Sequence, residues 1–325
     1  MTRLAVIAHA GKSMDGGLGA LRDELDRTGQ TDVLWYEVAK SKQVPDCVHE
    51  ALDRGAELLF VWGGDGSVQR CLDAVAQRDA PVPVAILPAG TANLLALNLG
   101  VPSTITEAVA IGLEGKRRAV DTATLNGEHF AVMAGAGLDA LMIRDADRSL
   151  KDRVGRAAYL ATGARNLRAS PVHATVKVEG RPFHKGTVTC VLVGNVGTVL
   201  GGLQLFEGSR VDDGLVEVGV VTAKSIGQWV RTIGRAVVGR PEASPFVTTS
   251  RGAKVTVSFD RPVVCEVDGG VRPAVRKLRF RARPASVLVC VPPGDPTGVF
   301  STDGDAVTEA AAGGRNRHES EKVPD

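Results

Sequence analysis

The sequence predicts an N-terminal α/β domain with a parallel sheet, followed by a mostly antiparallel, β-sandwich-like second domain. In the first third, short and almost wholly apolar runs alternate with helical patterns, which is typical of a parallel sheet covered on both faces. Glycine-rich loops follow two of these runs. From about Arg117 the pattern changes to closely spaced strand-like runs, which indicates antiparallel strands joined by turns.

The predicted elements of the first domain alternate regularly, and we place this domain at residues 1–120. The apolar runs are short enough to be buried strands, and the segments between them have the 3.6-residue period of amphipathic helices. We predict strands at 3–9, 33–38, 57–63 and 82–88, with helices at 17–28, near 45–54 and near 66–78.

The second domain is predicted to span residues 121–293. It opens with a hairpin around Asn126-Gly127, a favoured two-residue turn. Helical inserts are expected near 138–168 and 225–238, and after residue 293 a segment rich in Gly, Asp, Glu and Ala is expected to form a disordered tail, 294–325. The remaining strand-like runs are 173–180, 187–195, 215–223, 253–259, 263–269 and 277–282.

The composition sets limits on partners and location. A formal net charge of +2 over 325 residues predicts no nucleic-acid partner and is compatible with anionic substrates. Five scattered cysteines favour reduced thiols. The apolar run Leu4–Ala8 is shorter than the ~7–15 residues of a secretory core, and no window approaches the ~18 apolar residues of a spanning helix. We expect a cytoplasmic protein that at most lies on a membrane.

The stretch FVWGGDGSVQRCL, residues 60–72, places one carboxylate in a bare glycine loop between a strand and a helix. Ligands of parallel sheets bind outside the carboxyl ends of the strands. Gly63, Gly64 and Gly66 would let a phosphate approach the main chain and the helix N-terminus, and Asp65 would act there through Mg²⁺. From the residues alone, a tight strand-to-helix turn with Asp65 or Ser67 as the helix N-cap is an equally good interpretation.

A second small-residue loop, LPAGTANLLALNLG at 87–100, follows the next predicted strand. Thr91 and Asn93 can bond a nucleotide or cap a helix. The first strand also ends in a loop, HAGKSMDGG at 9–17, where Lys12 could meet a phosphate or be simply solvated. Two such loops on consecutive strands favour a ligand site over a coincidence of turns.

The sequence resembles the diacylglycerol kinase catalytic-domain family, which includes bacterial diacylglycerol kinases, related soluble lipid kinases and sphingosine kinases. The resemblance rests on GGDGS and PAGTAN, then on Asp212-Asp213-Gly214 and Val267-Asp268-Gly269, and it covers roughly residues 3–293. It implies an α/β nucleotide domain, a β-sandwich-like domain, and transfer of the γ-phosphoryl group of ATP to a lipid hydroxyl with Mg²⁺.

The resemblance also implies roles for individual residues. Asp65 would belong to the catalytic metal network, and a structural Mg²⁺ would be held by the Asp213 side chain and by the carbonyls of Arg210 and Leu215. From the residues alone, the segment around Asp213 could equally be an acidic turn. The ATP contacts implied by the resemblance are Gly64, Asp65, Gly66, Ser67, Val68, Gln69, Arg70 and Thr91. From the loops themselves we add Gly63, Gly90, Asn93 and Lys12 as nucleotide contacts.

Three departures from the family pattern affect the chemistry. The first loop reads IAHAGK instead of N-P-x-S-G; Leu94 replaces the acid that follows G-T-x-N; and Gly270 replaces the glutamate presumed to be the general base. We predict that Asp268 takes or orients the proton of the lipid hydroxyl, with Glu266 on the same strand face as the alternative. Such help is worth ~10²–10⁴-fold in rate.

Two basic stretches are compatible with peripheral contact at an anionic membrane surface, and equally with solvated faces over a core. One is the amphipathic segment 144–168. The other is KLRFRAR, whose alternation sends its basic side chains to one face and Leu278, Phe280 and Ala282 to the other. The basic residues of this second stretch are Lys277, Arg279, Arg281 and Arg283.

Two other functions stay open beside the lipid kinase. GGDG is shared with NAD kinases, so a relative acting on a soluble dinucleotide is possible, and PAGTAN argues against it. Leu94 and Gly270 suggest a weakly active regulatory protein that binds nucleotide or lipid.

Overall fold

A computed structural model describes residues 3–137, 171–199, 203–237, 243–294 and 297–300. The chain divides into two compact units. The first contains the residues up to Thr122, the segment Arg210–Gly214 and the described residues from Arg283 onward, whereas the second contains the described residues of 123–209 and 215–282.

The first unit is built on a parallel sheet, as predicted. Strands β1 (Leu4–His9), β2 (Val33–Val38), β3 (Leu58–Gly63) and β4 (Val84–Pro88) lie in the order β2-β1-β3-β4. Every residue of β3 and β4 is buried, because helices cover both faces of a sheet of this kind. The helices are α1 (Gly17–Arg27), α2 (Val44–Asp53, after a 3₁₀ turn at Ser41–Gln43), α3 (Asp65–Gln77), α4 (Leu94–Asn98) and α5 (Ile105–Glu114).

The second unit is mostly antiparallel, which confirms the predicted fold class. Its core is rich in valine, and its one described helix, α6, spans Ile226–Val237 within the predicted insert. The strands that form it, wholly or in part, are β5 (Lys116–Leu125), β6 (Glu128–Phe130), β7 (Met133–Ala136), β8 (Val172–Val178), β9 (Arg181–Val188), β10 (Cys190–Gly194), β11 (Thr198–Val199), β12 (Leu203–Gln204), β13 (Val216–Val221), β14 (Val247–Gly252), β15 (Lys254–Val267) and β16 (Gly270–Val291).

Tight hairpins set the strand register of this unit. The predicted Asn126-Gly127 turn is confirmed, since it joins β5 to β6 with both residues at positive φ. Asp268 and Gly269 form an equivalent turn between β15 and β16, with φ of 42° and 80°. Two-residue turns with both residues in the left-handed region match the twist of the strands that they join.

The units divide the chain differently from the predicted ranges 1–120, 121–293 and 294–325. Strands β5 and β16 each contribute residues to both units. The end of β16 belongs to the first unit, where Val289 pairs in parallel with Val84 of β4. An apolar run does not show which sheet it joins, so the sequence did not indicate that the end of β16 belongs to the sheet of the first unit.

The predicted disordered tail also needs correction at its start. Val299 and Phe300 are buried in the first unit, and the Val299 carbonyl accepts a hydrogen bond from the Val211 N–H at 2.9 Å. The guanidinium of Arg118 lies 4.2 Å from the centre of the Phe300 ring. These contacts hold residues 297–300 in place. The sequence did not predict them, because the two apolar residues lie in a segment of mostly polar composition. Residues 301–325, and the predicted basic helix at 144–168, lie outside the described residues.

All five cysteines are free thiols. No helix in the described ranges is both long and apolar enough to cross a membrane.

Candidate functional site

The two glycine loops of the first unit touch through their main chains. A Cβ atom added to Gly90 would lie 2.3 Å from the Cα of Gly64, and one added to Gly64 would lie 3.1 Å from the Cα of Gly90. No side chain fits at Gly90 without displacing the backbone. Both positions therefore need glycine, because a side chain at either one would prevent the ends of β3 and β4 from packing together.

Asp65 fastens the loops to each other. Its Oδ2 accepts the Asn93 N–H at 3.0 Å, and its Oδ1 accepts the Leu94 N–H at 2.5 Å. Burial raises the pKa of this carboxyl group, and the main-chain N–H groups oppose the rise. Leu94, which replaces the expected acid, thus still participates in the site through its main chain.

Asn93 shapes the second loop from inside. It has a left-handed backbone with φ of 50°, and its Oδ1 accepts the Gly90 N–H at 2.9 Å. Its Nδ2 donates to the carbonyls of Pro88 and Gly90 at 3.1 and 3.0 Å. Because this side chain is used within the loop, Thr91 is left as the exposed polar side chain at the loop tip.

Gly66 differs from the other loop glycines because the surrounding protein leaves it free space. It is exposed in the first turn of α3, and an added Cβ would meet nothing nearer than the Ser41 Oγ at 3.9 Å. A glycine inside a helix costs about 1 kcal/mol relative to alanine, and packing does not require one here. The main chain at this position is open enough for a ligand to lie against it.

The other predicted residues of this loop differ in whether their side chains are buried in the unit or partly exposed. Ser67, Val68 and Gln69 have their side chains in the interior of the unit, each at most 5% exposed. Gly63 is needed for packing, since a Cβ there would lie 2.6 Å from the Ser67 Cβ. Arg70 is half-buried on the next turn of the helix.

The loop after β1 supplies Lys12 and a residue that sequence reasoning missed, His9. Lys12 is half-buried, and its carbonyl accepts the Trp62 indole N–H at 3.3 Å. His9 ends β1, and its Nδ1 accepts the Gly11 N–H at 3.2 Å. Its position at a strand end beside β3 is the signal that could have identified it.

A buried carboxylate, Asp121, binds the main chain of Asp212-Asp213-Gly214, here called the DDG segment, in the first unit. Its oxygens accept the Gly214 N–H at 2.6 Å and the Ala285 N–H at 2.7 Å. Burial, with smaller contributions from Asp213 and Asp212, raises its pKa to about 6. No local sequence pattern indicates this residue, because its partners lie 93 and 164 positions away.

The charge around the DDG segment is predominantly negative. Asp212 lies 3.6 Å from the Arg118 guanidinium, and both side chains are buried. Asp213 is half-buried next to it. Three carboxyl groups against two arginines, Arg118 and Arg210, leave a net negative charge that suits an additional cation. No described group of three His, Cys, Asp or Glu side chains has the geometry of a metal site. One half-buried carboxylate with main-chain carbonyls and water would be a ligand set that Mg²⁺ accepts.

In the second unit, the Asp268 side chain binds the main chain of the segment that joins β6 to β7. Its Oδ2 accepts the Ala131 N–H at 2.9 Å, while its Oδ1 accepts the N–H groups of Val132 and Met133 at 3.1 and 2.8 Å. The side chain is buried. The predicted proton acceptor therefore already has a structural role, which leaves less of its lone-pair capacity for a substrate.

Glu266 lies two residues earlier on β15, in apolar surroundings. It pairs with Val271 on one side and with Gly135 on the other. Burial raises the pKa of its carboxyl group to about 7, although the Arg272 guanidinium opposes the rise. A carboxyl group that titrates near neutrality is suited to exchanging protons at physiological pH.

Gly270, the position of the missing family glutamate, can take a side chain only if the Arg272 guanidinium moves, since an added Cβ would also lie 3.2 Å from the Val267 carbonyl oxygen. Its φ is not positive, and an added Cβ would first meet the Arg272 Nη1, at 2.6 Å. That atom ends a flexible side chain, which also donates from its Nε to Glu128 at 2.7 Å. A glutamate at Gly270 would stand beside a cation.

Two family models match the chain in succession. The model described as the diacylglycerol kinase catalytic domain matches residues 4–125, and the YegS C-terminal NAD kinase beta sandwich-like domain matches residues 132–291. Together they cover most of the sequence.

Similar proteins and solved structures agree with these models. A probable lipid kinase YegS-like protein of Pseudomonas fluorescens is 32% identical over 77% of this chain and 82% of its own length, and one of Stenotrophomonas maltophilia is 29% identical over 77% and 83%. A crystal structure of a putative diacylglycerol kinase from Bacillus anthracis has a TM-score of 0.73 at 20% identity, over 90% of this chain and 97% of that one. At that identity the likeness concerns the fold.

Proposed function

The chain belongs to the diacylglycerol kinase catalytic-domain family, and we propose that it transfers the γ-phosphoryl group of ATP to a lipid hydroxyl in a Mg²⁺-dependent reaction. Membership of this family makes it a lipid kinase. The observation that best supports the nucleotide part is the Asp65 carboxylate, which joins two glycine loops beside the open main chain at Gly66.

The proposed nucleotide site lies at the carboxyl ends of β1, β3 and β4. The phosphates would lie against Gly64 and Gly66, where the N-terminus of α3 offers N–H groups and a positive dipole. Thr91 would contact the nucleotide from the second loop. Lys12 and Arg70 would supply positive charge. Phosphoryl transfer depends mainly on such positioning and charge neutralisation.

We assign the metals on the same basis. Asp65 would direct a catalytic Mg²⁺, which when bound neutralises charge on the phosphates. Asp213, with the carbonyls of Arg210 and Leu215, would hold a structural Mg²⁺. The acidic surroundings of Asp121 and Asp212 support that second assignment, because a cation there offsets their repulsion.

The lipid hydroxyl must lose a proton as its oxygen attacks the γ-phosphorus and the bond to ADP breaks. Asp268 remains our proposed acceptor or orienting group. The three N–H groups that it binds favour orienting, and they make Glu266 the competing acceptor.

The proposed function is tested by incubating pure protein with labelled ATP, Mg²⁺ and a panel of diacylglycerols and sphingoid bases in mixed micelles. We expect a labelled phospholipid that disappears when Mg²⁺ is chelated. Labelled NADP formed from NAD, with no labelled lipid, would instead identify a dinucleotide kinase. ATP binding without transfer to any acceptor would identify a regulatory protein.

Removal of the Glu266 charge is expected to change how stability depends on pH. Its folded pKa of about 7 exceeds the ordinary 4.5, so between these values the folded state keeps a proton that the unfolded state loses. Stability therefore falls as pH rises through this window. Glu266→Gln should flatten the fall and leave the variant about 3 kcal/mol more stable at pH 8, as measured by urea denaturation from pH 5 to 8. Parallel curves for variant and wild type would contradict the shifted pKa.

Loss of Asp213 is expected to remove a stabilisation by Mg²⁺. Wild-type protein should melt at a higher temperature with millimolar Mg²⁺ than with EDTA, because an ion that binds only the folded state stabilises it. Asp213→Ala should melt at the same temperature in both. The exposed Asp23→Ala serves as the control and should keep the difference. A wild-type melting temperature that ignores Mg²⁺ would favour the plain acidic turn.

Gly270→Glu is expected to be tolerated and to keep or raise turnover. The backbone there suits any residue, and the new carboxylate would lie beside the Arg272 guanidinium. The comparison with Gly270→Gln isolates the charge. Equal turnover in both variants would show that a carboxylate at this position does not assist the reaction.

A further inference from the structure

Six basic residues project from one face of the sheet in the second unit. They come from four neighbouring strands, β9, β8, β15 and β16, which pair in that order. Sequence reasoning found only the contribution of β16. The six residues, here called the basic sheet face, are Lys177, Lys185, Lys254, Lys277, Arg279 and Arg281.

Alternation along the strands forces these side chains outward. On β16, Leu278 and Phe280 are at most 1% exposed and lie in the core, so their neighbours point the opposite way. On β8 and β15, Val176 and Val257 are fully buried, and they orient their strands in the same manner. The basic side chains are exposed as a consequence of the core pattern.

The strand register arranges the charges in two dimensions. Arg281 pairs with Lys254, and Lys277 pairs with Ser258, while Thr256 is flanked by Arg279 on one side and Lys177 on the other. Lys185 extends the face across β9 through its pair with Thr175. With about 4.8 Å between strands and 3.4 Å per residue, the six charges fall within roughly 14 by 14 Å.

Little on the protein neutralises this charge. Within the described ranges, no carboxylate lies within 4.0 Å of any of the six cations. Two acids border the face. Glu179 turns its Oε1 toward the main-chain N–H of Lys254 at 2.8 Å, and Asp260 lies further along β15. The six positive charges therefore confront the solvent together.

We infer that the basic sheet face binds the anionic headgroups of a lipid bilayer. The residues between the cations are the short polar Thr175, Thr256 and Ser258, so the face offers neither an apolar pocket nor an aromatic side chain on which single-stranded nucleic acid could stack. A broad array of flexible cations suits a broad anionic surface. The choice of a bilayer rests in part on the proposed function, since a lipid kinase must reach its substrate there.

The expected strength follows from the charge. Each basic residue near an anionic bilayer strengthens binding about fivefold at moderate ionic strength, and the attraction is screened by salt. Binding to vesicles should therefore depend on anionic lipid and be reversed by high salt.

The test is co-sedimentation of the full chain with vesicles of pure phosphatidylcholine or of phosphatidylcholine with about a third phosphatidylglycerol. The variant Lys177→Gln, Lys254→Gln, Arg279→Gln removes one charge from each of three strands. The control variant Arg54→Gln, Lys224→Gln, Arg231→Gln removes three exposed charges elsewhere. Thermal melting checks that both variants fold.

We expect the wild type and the control to bind the anionic vesicles alike, and the first variant to bind roughly a hundredfold more weakly. Equal binding by all three proteins, or equal binding to both vesicle types, would overturn the proposal. Tighter binding of wild type to a DNA duplex than to the vesicles, lost in the first variant, would assign the face to nucleic acid instead.

Phosphorylation of a short-chain, monomeric diacylglycerol separates this test from the kinase assignment. It should be equal in all three proteins, and its absence with vesicle binding intact would reject only the kinase.

Discussion

Asp268→Ala is expected to lower the free energy of unfolding by about 3 kcal/mol or more. The substitution leaves three main-chain N–H groups, of Ala131, Val132 and Met133, without their acceptor, and each unsatisfied buried donor costs about 1–3 kcal/mol. Turnover should fall as well, by roughly 10²–10⁴-fold if the carboxylate also handles the lipid proton. Urea denaturation and steady-state kinetics measure the two effects separately.

Asp268→Asn distinguishes structure from chemistry. Asparagine tolerates the left-handed conformation of this turn and keeps one acceptor oxygen, so most of the stability should return. If turnover returns with it, the proton acceptor is not Asp268, and Glu266→Gln becomes the decisive variant. A fully stable Asp268→Ala protein would contradict the three hydrogen bonds themselves.

Asp65→Asn is expected to reduce turnover at least a hundredfold. The side chains have nearly the same shape, but the new NH₂ group would face the N–H of Asn93 or Leu94, where an acceptor is needed. The loops should loosen, with a stability loss of about 1–3 kcal/mol, and the charge that we propose to direct Mg²⁺ disappears.

The measurements for Asp65→Asn are kcat, the KM for ATP and urea denaturation at saturating Mg²⁺. Asp23→Asn removes a similar charge from the exposed face of α1 and should match wild type in all three. A variant with normal turnover and reduced stability would make Asp65 a structural clamp only.

The apolar runs predicted the first sheet well because a buried parallel strand has one dominant signature. Strands β1 to β4 begin within two residues of the predicted positions and end where predicted. The second unit was harder. The runs 253–259 and 263–269 form a single strand, β15, whose pairing with β16 is irregular between Ser258 and Cys265, and local composition does not separate an irregularity from a loop.

The glycine loops could be found from sequence because their residues are consecutive, whereas the contacts that organise the sites could not. Asp65 binds residues 28 and 29 positions away, and Asp268 binds residues more than 130 positions away. Such bonds depend on tertiary structure. The presence of Asp65 in the site was predictable, but its hydrogen bonds to Asn93 and Leu94 were not.

The late return of the chain to the first unit has a consequence for synthesis on the ribosome. Residues 1–122 emerge first, yet the strand beside β4 and the two N–H groups that bind Asp121 come from residues 214 and 283–291. Until those residues leave the exit tunnel, the nascent unit has an open sheet edge and a buried carboxylate without its donors. Translation must proceed past residue 291 before the first unit can complete its fold, so a gene fragment ending near residue 125 would encode an unfinished sheet.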